Sequence, residues 1–252
     1  MRPNRLHELW ANDQPALGGW LTVPSSLSAE IFTHSGVDWA CVDTQHGSID
    51  YQAAFEMLQA ISTGDAVPIV RVQWNDPGYI MKMLDAGAYG IIVPMVNSRA
   101  EAEAAVSACR YAPQGSRSYG PGRSVLYAGR DYFAHANETV LGICMIETRE
   151  AVANAEEIIS TPGLDAVYIG PSDLSVSMGL PPASDQDAPE FTEALEKVVA
   201  LCQKHGVIAG AHCGTPEVAK KRIGQGFRFV QMVDDAGLLA RGAARALEEM
   251  RR

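Results

Sequence analysis

Basic residues, long apolar runs and an N-terminal signal are scarce or missing in this sequence. Lysine and arginine number 20 against 30 aspartate and glutamate residues, which gives a formal net charge of −10. Nucleic-acid-binding surfaces need clustered basic side chains, so we expect no nucleic-acid partner. No run reaches the roughly 18 apolar residues that cross a bilayer, and the first residues contain no apolar signal core. We therefore expect a soluble, cytoplasmic protein that does not associate with membranes.

Cysteine is sparse, and the cofactor-binding loops of other enzyme classes are missing. The five cysteines form no Cys-x-x-Cys pair and fall mostly in apolar patterns, so we expect buried free thiols. A chain of 252 residues can bury a large core without disulfides. The sequence has no G-x-G-x-x-G loop, no Walker loop and no G-x-S-x-G elbow. We expect no organic cofactor.

Lysine is the next shortage that limits the chemistry. The chain has five lysines, all in helical patterns and none at the end of a candidate strand: Lys82, Lys197, Lys204, Lys220 and Lys221. Schiff-base catalysis needs a desolvated lysine in the pocket. The sequence therefore argues against a Schiff-base enzyme.

Short apolar runs alternate with amphipathic stretches along the whole chain. Nearly continuous apolar runs are typical of strands buried on both faces of a parallel sheet. The candidate strands are 19–23, 39–42, 68–72, 90–93, 141–146, 166–169, 207–211 and 229–232. Helical patterns cover 51–61, 100–109, 190–204, 216–225 and 236–250. This alternation predicts an α/β fold, a single (β/α)8 TIM barrel over residues 1–252.

Two features bear on that fold prediction. A doubly wound open sheet is the competing architecture, but its Gly-rich first turn is missing. Residues 111–135 form a long irregular insertion rich in arginine and aromatic residues, and residues 178–189 form a second irregular segment. Long loops of this kind in a compact domain are usually functional or disordered. We expect the first of them to be ordered.

Carboxylates follow two neighbouring candidate strands, where a parallel barrel opens into one pocket. Glu147 and Asp173 offer oxygens suited to Mg²⁺ or Mn²⁺. Helix capping is the alternative role for both, since acidic residues are favoured at helix starts. The segment Gly170-Pro171-Ser172 favours the functional interpretation, because its main-chain N–H groups can form an anion site.

A histidine and an arginine also follow candidate strands. His46 lies three residues after Asp43 and can relay protons, or it is an exposed loop histidine. Arg71 ends the third strand, where its planar fork suits a substrate carboxylate or enolate oxygen. A structural ion pair with an acidic neighbour is the alternative for Arg71. His212 follows the seventh strand and is a weaker candidate for the same pocket.

Two arginines flank a glycine-rich turn in the 111–135 insertion. Arg117 and Arg123 lie on either side of Gly-Pro-Gly at residues 120–122. Binding to substrate or to a neighbouring subunit is one interpretation, and a solvated loop is the other.

Together these motifs resemble the HpcH/HpaI family of class II, metal-dependent pyruvate aldolases, over nearly the whole chain. The matching segments are Asp43-Thr-Gln-His-Gly, Arg71-Val-Gln-Trp-Asn-Asp-Pro, Leu84-Asp-Ala-Gly-Ala, Glu147-Thr and Gly170-Pro-Ser-Asp-Leu. The resemblance implies a barrel of the phosphoenolpyruvate/pyruvate superfamily with a divalent metal, Mg²⁺, Mn²⁺ or Co²⁺. It also implies a homo-oligomer, often a hexamer, whose C-terminal helix is exchanged between subunits.

The resemblance also implies residue roles. Glu147 and Asp173 match the metal ligands. His46 matches the catalytic histidine, with Asp43 as its nearby acid. Arg71 matches the arginine that holds the keto or enolate oxygen.

Other matching positions concern the neighbouring subunit and substrate preference. Asp85 matches an aspartate that reaches an adjacent subunit's site, and the 117–126 loop is expected to line that neighbour's pocket. Met145 and Gln45 stand where family members commonly have glutamine and glutamate, and Gln73 replaces a frequent proline. Met145 removes a hydrogen bond near the metal or substrate and so leaves substrate preference open.

The implied activity is that of a carbon–carbon lyase. It makes or cleaves 4-hydroxy-2-oxo acids by joining an aldehyde to the metal-held enolate of pyruvate or hydroxypyruvate. We expect residues Gly170 to Asp173, with Arg71 and His212, to bind this substrate. One alternative is an acyl-CoA lyase of the same superfamily, which would need a basic patch to bind the CoA phosphates. The other is a barrel that binds a metal–oxo-acid complex without turnover.

Overall fold

Eight parallel strands close into a barrel in a computed structural model that describes residues 1–252. Consecutive strands are hydrogen-bonded neighbours, and the last strand closes the barrel against the first. The strands are β1 (Ala16–Leu21), β2 (Trp39–Asp43), β3 (Val67–Arg71), β4 (Gly90–Val93), β5 (Leu141–Ile146), β6 (Ala166–Ile169), β7 (Ile208–His212) and β8 (Phe229–Asp234). The predicted (β/α)8 barrel is confirmed.

Helices surround the barrel, and several connections contain more than one. They are α1 (Arg5–Ala11), α2 (Ser26–Thr33), α3 (Tyr51–Ile61), α4 (Pro77–Asp85), α5 (Arg99–Cys109), α6 (Ser124–Ala128), α7 (Tyr132–Thr139), α8 (Arg149–Ala153), α9 (Ala155–Ile159), α10 (Pro171–Ser177), α11 (Pro189–His205), α12 (Pro216–Gly224) and α13 (Asp235–Arg251). None of them is both long and apolar enough to span a membrane.

Side-chain caps fix where many of these helices begin. Asp50 caps α3 and Asp76 caps α4, each by accepting a hydrogen bond from a main-chain N–H of the first turn. Ser98 and Glu101 form a capping box at the start of α5. Such caps satisfy N–H groups that have no partner inside the helix. They also set the direction in which each chain segment leaves the mouth of the barrel.

Aromatic rings from four strands fill the interior of the barrel. Trp20, Trp39, Tyr168 and Phe229 come from β1, β2, β6 and β8, with ring centroids 4.2 to 6.4 Å apart. Trp20 and Tyr168 stack at 5.7 Å with nearly parallel rings. All four rings are buried. This packed layer forms the floor under the strand ends that carry the charged residues.

The largest error in the predicted strands is at β1. The strand covers Ala16–Leu21, whereas the apolar pattern placed it at 19–23. Gly18 and Gly19 lie in the middle of the strand because the rings of Trp39 and Phe32 occupy the space that their side chains would need. The predicted start at residue 19 divided this glycine pair, which is a site of close packing inside the strand.

The 111–135 segment is the second departure from prediction. It is ordered, as expected, but it contains α6 and the start of α7 and is not one irregular loop. Residues 178–188 between α10 and α11 form no regular element, as predicted. All five cysteines are buried and free, which confirms the interpretation of their spacing.

Candidate active site

The carboxyl ends of the strands meet around one small polar pocket. Its volume is about 170 Å³, and nine residues line it: His46, Arg71, Met145, Glu147, Gly170, Pro171, Ser172, Asp173 and His212. Eight of them are the pocket residues expected from the sequence, and the ninth is the departure noted at position 145. The convergence follows from topology, because parallel strands of a closed barrel end at one face.

A buried ion pair joins β2 to β3 at the edge of the pocket. The guanidinium of Arg71 donates to both carboxylate oxygens of Asp43, from Nε at 2.9 Å and from Nη2 at 2.5 Å. Trp20 donates its indole N–H to the same carboxylate at 3.1 Å. Burial alone would raise the pKa of Asp43, but the hydrogen bonds and charge of Arg71 lower it. The ion pair set out as the alternative for Arg71 is therefore present, although Arg71 also lines the pocket.

Asp43 reaches His46 through the main chain and not through the imidazole. Its Oδ1 accepts hydrogen bonds from the main-chain N–H groups of Gln45 at 3.0 Å and His46 at 3.3 Å. The interpretation of Asp43 as an acid that supports the His46 ring needs correction. Both of its oxygens are already engaged by Arg71, so it fixes the loop that carries the imidazole into the pocket.

Glu147 is a buried carboxylate without a basic partner. Its Oε1 accepts a hydrogen bond from the main-chain N–H of Met95 at 2.8 Å, and its Oε2 lies against Gly170, where any Cβ would collide with it. Burial raises the pKa of Glu147 to about 7, and the charge of Asp173 adds to this. The capping alternative is wrong for Glu147, since Thr148 caps α8.

Asp173 completes the acidic side of the pocket from the first turn of α10. Its side chain makes no capping hydrogen bond, and no lysine or arginine forms a salt bridge with it. The free N–H groups of that helical turn, at Ser172 and beyond, have no partner inside the helix. Pro171 at the first position contributes none. The segment therefore presents donors and a carboxylate to the same space.

The two carboxylates fit a hard divalent cation. No cluster of three or more histidine, cysteine, aspartate and glutamate side chains exists in the chain that could enclose a metal alone. Glu147 and Asp173 would leave most coordination positions to water and substrate oxygens, as is common for Mg²⁺. A buried carboxylate with a raised pKa beside a second carboxylate is the electrostatic situation that a cation relieves.

His212 lies at the end of β7, the strand next to β6, and lines the pocket. Its ring meets the edge of Trp20 with centroids 5.0 Å apart. Burial, assisted by the charge of Arg71, lowers the pKa of His212 to about 4. The imidazole is therefore neutral at pH 7.

Four predicted residues do not line this pocket: Asp43, which borders it through Arg71, and Asp85, Arg117 and Arg123, which lie away from it. Arg117 is fully buried and donates to Asp85 at 2.7 Å and to Tyr132 at 2.8 Å. Arg123 donates to the main-chain carbonyl of Ala86 at 2.7 Å. The solvated-loop alternative is wrong for both arginines, which instead fasten the insertion to the barrel. Neither arginine lines the pocket of its own chain, and their role toward a neighbouring subunit stays a prediction.

Sequence reasoning missed two contributors to the site. Trp20 holds Asp43 and also packs under Arg71, whose guanidinium carbon lies 5.0 Å from the ring centroid. Met95 has a φ of 55°, an unusual conformation for this residue type, and directs its N–H at Glu147. A tryptophan within a strand pattern is typical of the hydrophobic core, so Trp20 gave no sign of a role at the site. The donor of Met95 is a main-chain N–H, which the residue type does not reveal.

Comparison with known proteins agrees with this geometry. The HpcH/HpaI aldolase/citrate lyase family profile matches residues 17–241. The chain is 44% identical over 248 residues to a hydroxypyruvate/pyruvate aldolase of Rhizorhabdus wittichii, covering 98% of this chain and 99% of that one. It is 38% identical over 235 residues to a 4-hydroxy-2-oxo-heptane-1,7-dioate aldolase of Salmonella dublin, covering 91% and 88%.

A solved structure gives the same result. An HpcH/HpaI aldolase/citrate lyase family protein from Burkholderia cenocepacia superposes with a TM-score of 0.92 at 31% identity, covering 99% of this chain and all of that one. The resemblance drawn from the motifs is thereby confirmed. The chain belongs to the HpcH/HpaI aldolase/citrate lyase family.

Proposed function

We propose that this protein is a metal-dependent aldolase that makes or cleaves 4-hydroxy-2-oxo acids from a 2-oxo acid and an aldehyde. One observation carries the proposal. Two carboxylates without basic partners, Glu147 and Asp173, face the Arg71 guanidinium in one pocket. The aldolase names of relatives at 38–44% identity support it. Pyruvate and hydroxypyruvate are the proposed nucleophilic substrates.

Glu147 and Asp173 would hold the divalent ion, for which Mg²⁺, Mn²⁺ and Co²⁺ are the candidates. Such an ion supplies Lewis acidity that favours the enolate form of a 2-oxo acid. Gly170 is required for this arrangement, because a side chain there would displace Glu147 from the pocket. Met95 holds one oxygen of Glu147 and leaves the other free to face the pocket.

The residues of the chain supply the remaining steps. The first-turn N–H groups of α10, at Ser172 and Asp173, bind the substrate carboxylate. Arg71 donates to the keto oxygen and stabilises the negative charge that grows there when the C3–H bond breaks. A ring nitrogen of His46 takes up the C3 proton or passes it to water. Asp43 keeps Arg71 and the His46 loop in position for these contacts.

The distribution of lysines supports an enolate route without a covalent amine adduct. None of the nine pocket residues is a lysine. Lys197 and Lys204 donate to groups on α8 and α9, and Lys221 pairs with Asp185. All three lie on the outside of the barrel, and no lysine of the chain lines the pocket in which the keto carbon would lie.

Exchange of substrate protons for solvent deuterium tests the proposal. With a divalent metal, pyruvate and hydroxypyruvate should lose their C3 protons to D₂O in the absence of any aldehyde. A chelator should stop the exchange, and added Mg²⁺, Mn²⁺ or Co²⁺ should restore it. A protein that only binds a metal–oxo-acid complex would show no exchange. Full aldol activity in a demonstrably metal-free sample would contradict the metal assignment.

The proposal extends to assembly. Residues 1–252 would form one barrel domain, and copies would form a homo-oligomer, a hexamer by family resemblance, with α13 exchanged between subunits. The apolar face of α13 supports this, since Leu239 and Met250 are 72% and 86% exposed on their own chain. Asp85 and the 117–126 loop would approach the neighbouring pocket, with Tyr119 and Leu126 as its exposed side chains. A fully active monomer in light scattering would contradict this arrangement.

A further inference from the structure

Among the titratable side chains that line the pocket, His212 alone has no role in the steps proposed above. It ends β7 and shares the pocket with Arg71 and Glu147. Its ring is held edge-on to Trp20 with centroids 5.0 Å apart. No protein group accepts from or donates to either ring nitrogen, and neither nitrogen is sealed from the pocket. The fold therefore fixes the ring while leaving its polar atoms for a ligand.

The charge state of the ring limits the chemistry of that ligand. Burial and the nearby Arg71 hold the pKa of His212 at about 4, so the ring is neutral at pH 7. A neutral imidazole offers one N–H donor and one nitrogen acceptor. A hydroxyl group, which both donates and accepts, is its complement. A second carboxylate would gain no charge attraction there.

The rest of the pocket indicates where such a hydroxyl would sit. The end of β6 and the start of α10 supply donors for the substrate carboxylate, and β7 is the next strand around the barrel. His212 and Arg71 both pack on Trp20, with the imidazole centroid and the guanidinium carbon each 5.0 Å from the indole centroid. Met145 is the only hydrophobic residue among the nine that line the pocket.

We propose that His212 recognises a hydroxyl group on C3 of the 2-oxo acid, so that 3-hydroxy-2-oxo acids such as hydroxypyruvate are preferred over pyruvate. This inference rests on the proposed aldolase function and names the substrate class of the same site. Sites built to hydrogen-bond a substrate hydroxyl discriminate strongly against the analogue that lacks it, because their buried polar groups are left unpaired. Hydroxypyruvate would satisfy the ring where the methyl group of pyruvate would not.

The test measures C3 proton exchange into D₂O with each 2-oxo acid alone, in the metal-loaded enzyme. The His212→Phe variant keeps a ring against Trp20 but loses both nitrogens. It should lower kcat/KM for hydroxypyruvate exchange by about 10-fold or more relative to kcat/KM for pyruvate exchange, the value of one hydrogen bond to a buried group. The His212→Asn variant, which restores a donor and an acceptor, should recover part of the preference.

A matched control and an acceptor comparison complete the design. His205→Phe makes the same change on α11, where the ring pairs with Glu156 far from the pocket, and should leave the ratio unaltered. Retained pyruvate exchange in His212→Phe shows that the variant is folded. If His212→Phe left the ratio of kcat/KM for hydroxypyruvate to kcat/KM for pyruvate unchanged, the role of His212 would be overturned and the aldolase proposal would stand. The role of His212 would also be overturned if His212→Phe changed the preference between hydroxylated and plain aldehydes and left the preference between the two acids unchanged.

Failure of the proposed function gives a different pattern. A wild-type enzyme that exchanges neither acid in the presence of metal would overturn the aldolase proposal and this inference with it. Wild-type exchange with an unchanged donor ratio in the variants would leave the aldolase proposal standing. The two failures are therefore distinguishable in one set of measurements.

Discussion

Replacing Asp43 by asparagine tests whether this carboxylate acts through Arg71, as the structure indicates, or through the His46 ring. The change preserves the size of the side chain and removes its charge. Arg71, whose side chain is 11% exposed, would lose the carboxylate that accepts from its Nε and Nη2. An asparagine amide has one oxygen, so Arg71 and Trp20 would compete for it.

The expected loss of stability follows from the burial of the pair. Removing one member of a buried ion pair typically costs about 3–5 kcal/mol. Arg71 borders the pocket and can regain some water, so we expect about 3 kcal/mol. For a chain of this size that corresponds to a decrease in Tm of roughly 6–12 °C. Because the pKa of Asp43 is lowered in the folded state, its contribution is present at neutral pH and is lost as the pH falls below its ordinary value of 3.8.

Activity should fall with stability, because a displaced guanidinium no longer meets the keto oxygen. Loss of one such electrostatic contact costs about 10²–10³ in rate. Thermal unfolding and exchange rates of Asp43→Asn, Arg71→Ala and the double variant form a cycle whose coupling should be large. Asp50→Asn is the matched control, since it changes a capping aspartate at the other end of the same β2–α3 loop and should be nearly neutral. If Asp43→Asn had a near-normal Tm and exchange rate and only a shifted pH profile, Asp43 would act on the His46 imidazole and not through Arg71.

Three further outcomes are expected. Glu147→Gln should abolish the rescue of chelator-treated enzyme by metal. It should also raise the Tm of the metal-free protein at pH 8, because the buried carboxylate loses stability for the fold as it ionises between pH 4.5 and about 7. A lower Tm would contradict the destabilising effect of burial on Glu147. Borohydride with pyruvate should trap no lysine adduct in mass spectra, and a modified lysine peptide would overturn the enolate route. His46→Ala should lose about 10²–10⁴ in exchange rate while keeping pyruvate affinity by calorimetry, whereas Arg71→Ala should lose both; near-normal turnover without His46 would remove the proposed base.

Most of the fold could be predicted because buried strands and amphipathic helices each have a characteristic spacing of apolar residues in the sequence. Strands β4, β5 and β6 and helix α3 have the bounds that the apolar patterns gave. The errors arise where packing overrides local pattern. At β1 the rings of Trp39 and Phe32 require glycines inside the strand. Helix α7 begins without a side-chain cap and is weakly amphipathic, so nothing in its sequence marked its start.

The candidate site was predictable for a topological reason. A closed parallel barrel brings every strand end to one mouth, so polar residues after strands meet whatever their separation in the sequence. Partners within the mouth could not be predicted, since the strand order leaves side-chain pairing undetermined. Asp43 was assigned to His46, three residues away, when its oxygens face Arg71 on the next strand. Proximity in the sequence favoured His46 as the side-chain partner of Asp43, whereas the structure pairs Asp43 with Arg71.

That pairing decides the charge of the whole pocket. If Asp43 served the imidazole, the positive charge of Arg71 would be free to balance Glu147 or Asp173. Because Asp43 neutralises Arg71 directly, Glu147 and Asp173 have no basic partner and carry an excess of two negative charges once both are ionised. A single divalent cation balances that excess, whereas a lysine would leave half of it. The arginine–aspartate pair therefore leaves the acidic side of the pocket without a basic partner, which is the condition that the proposed divalent-metal site requires.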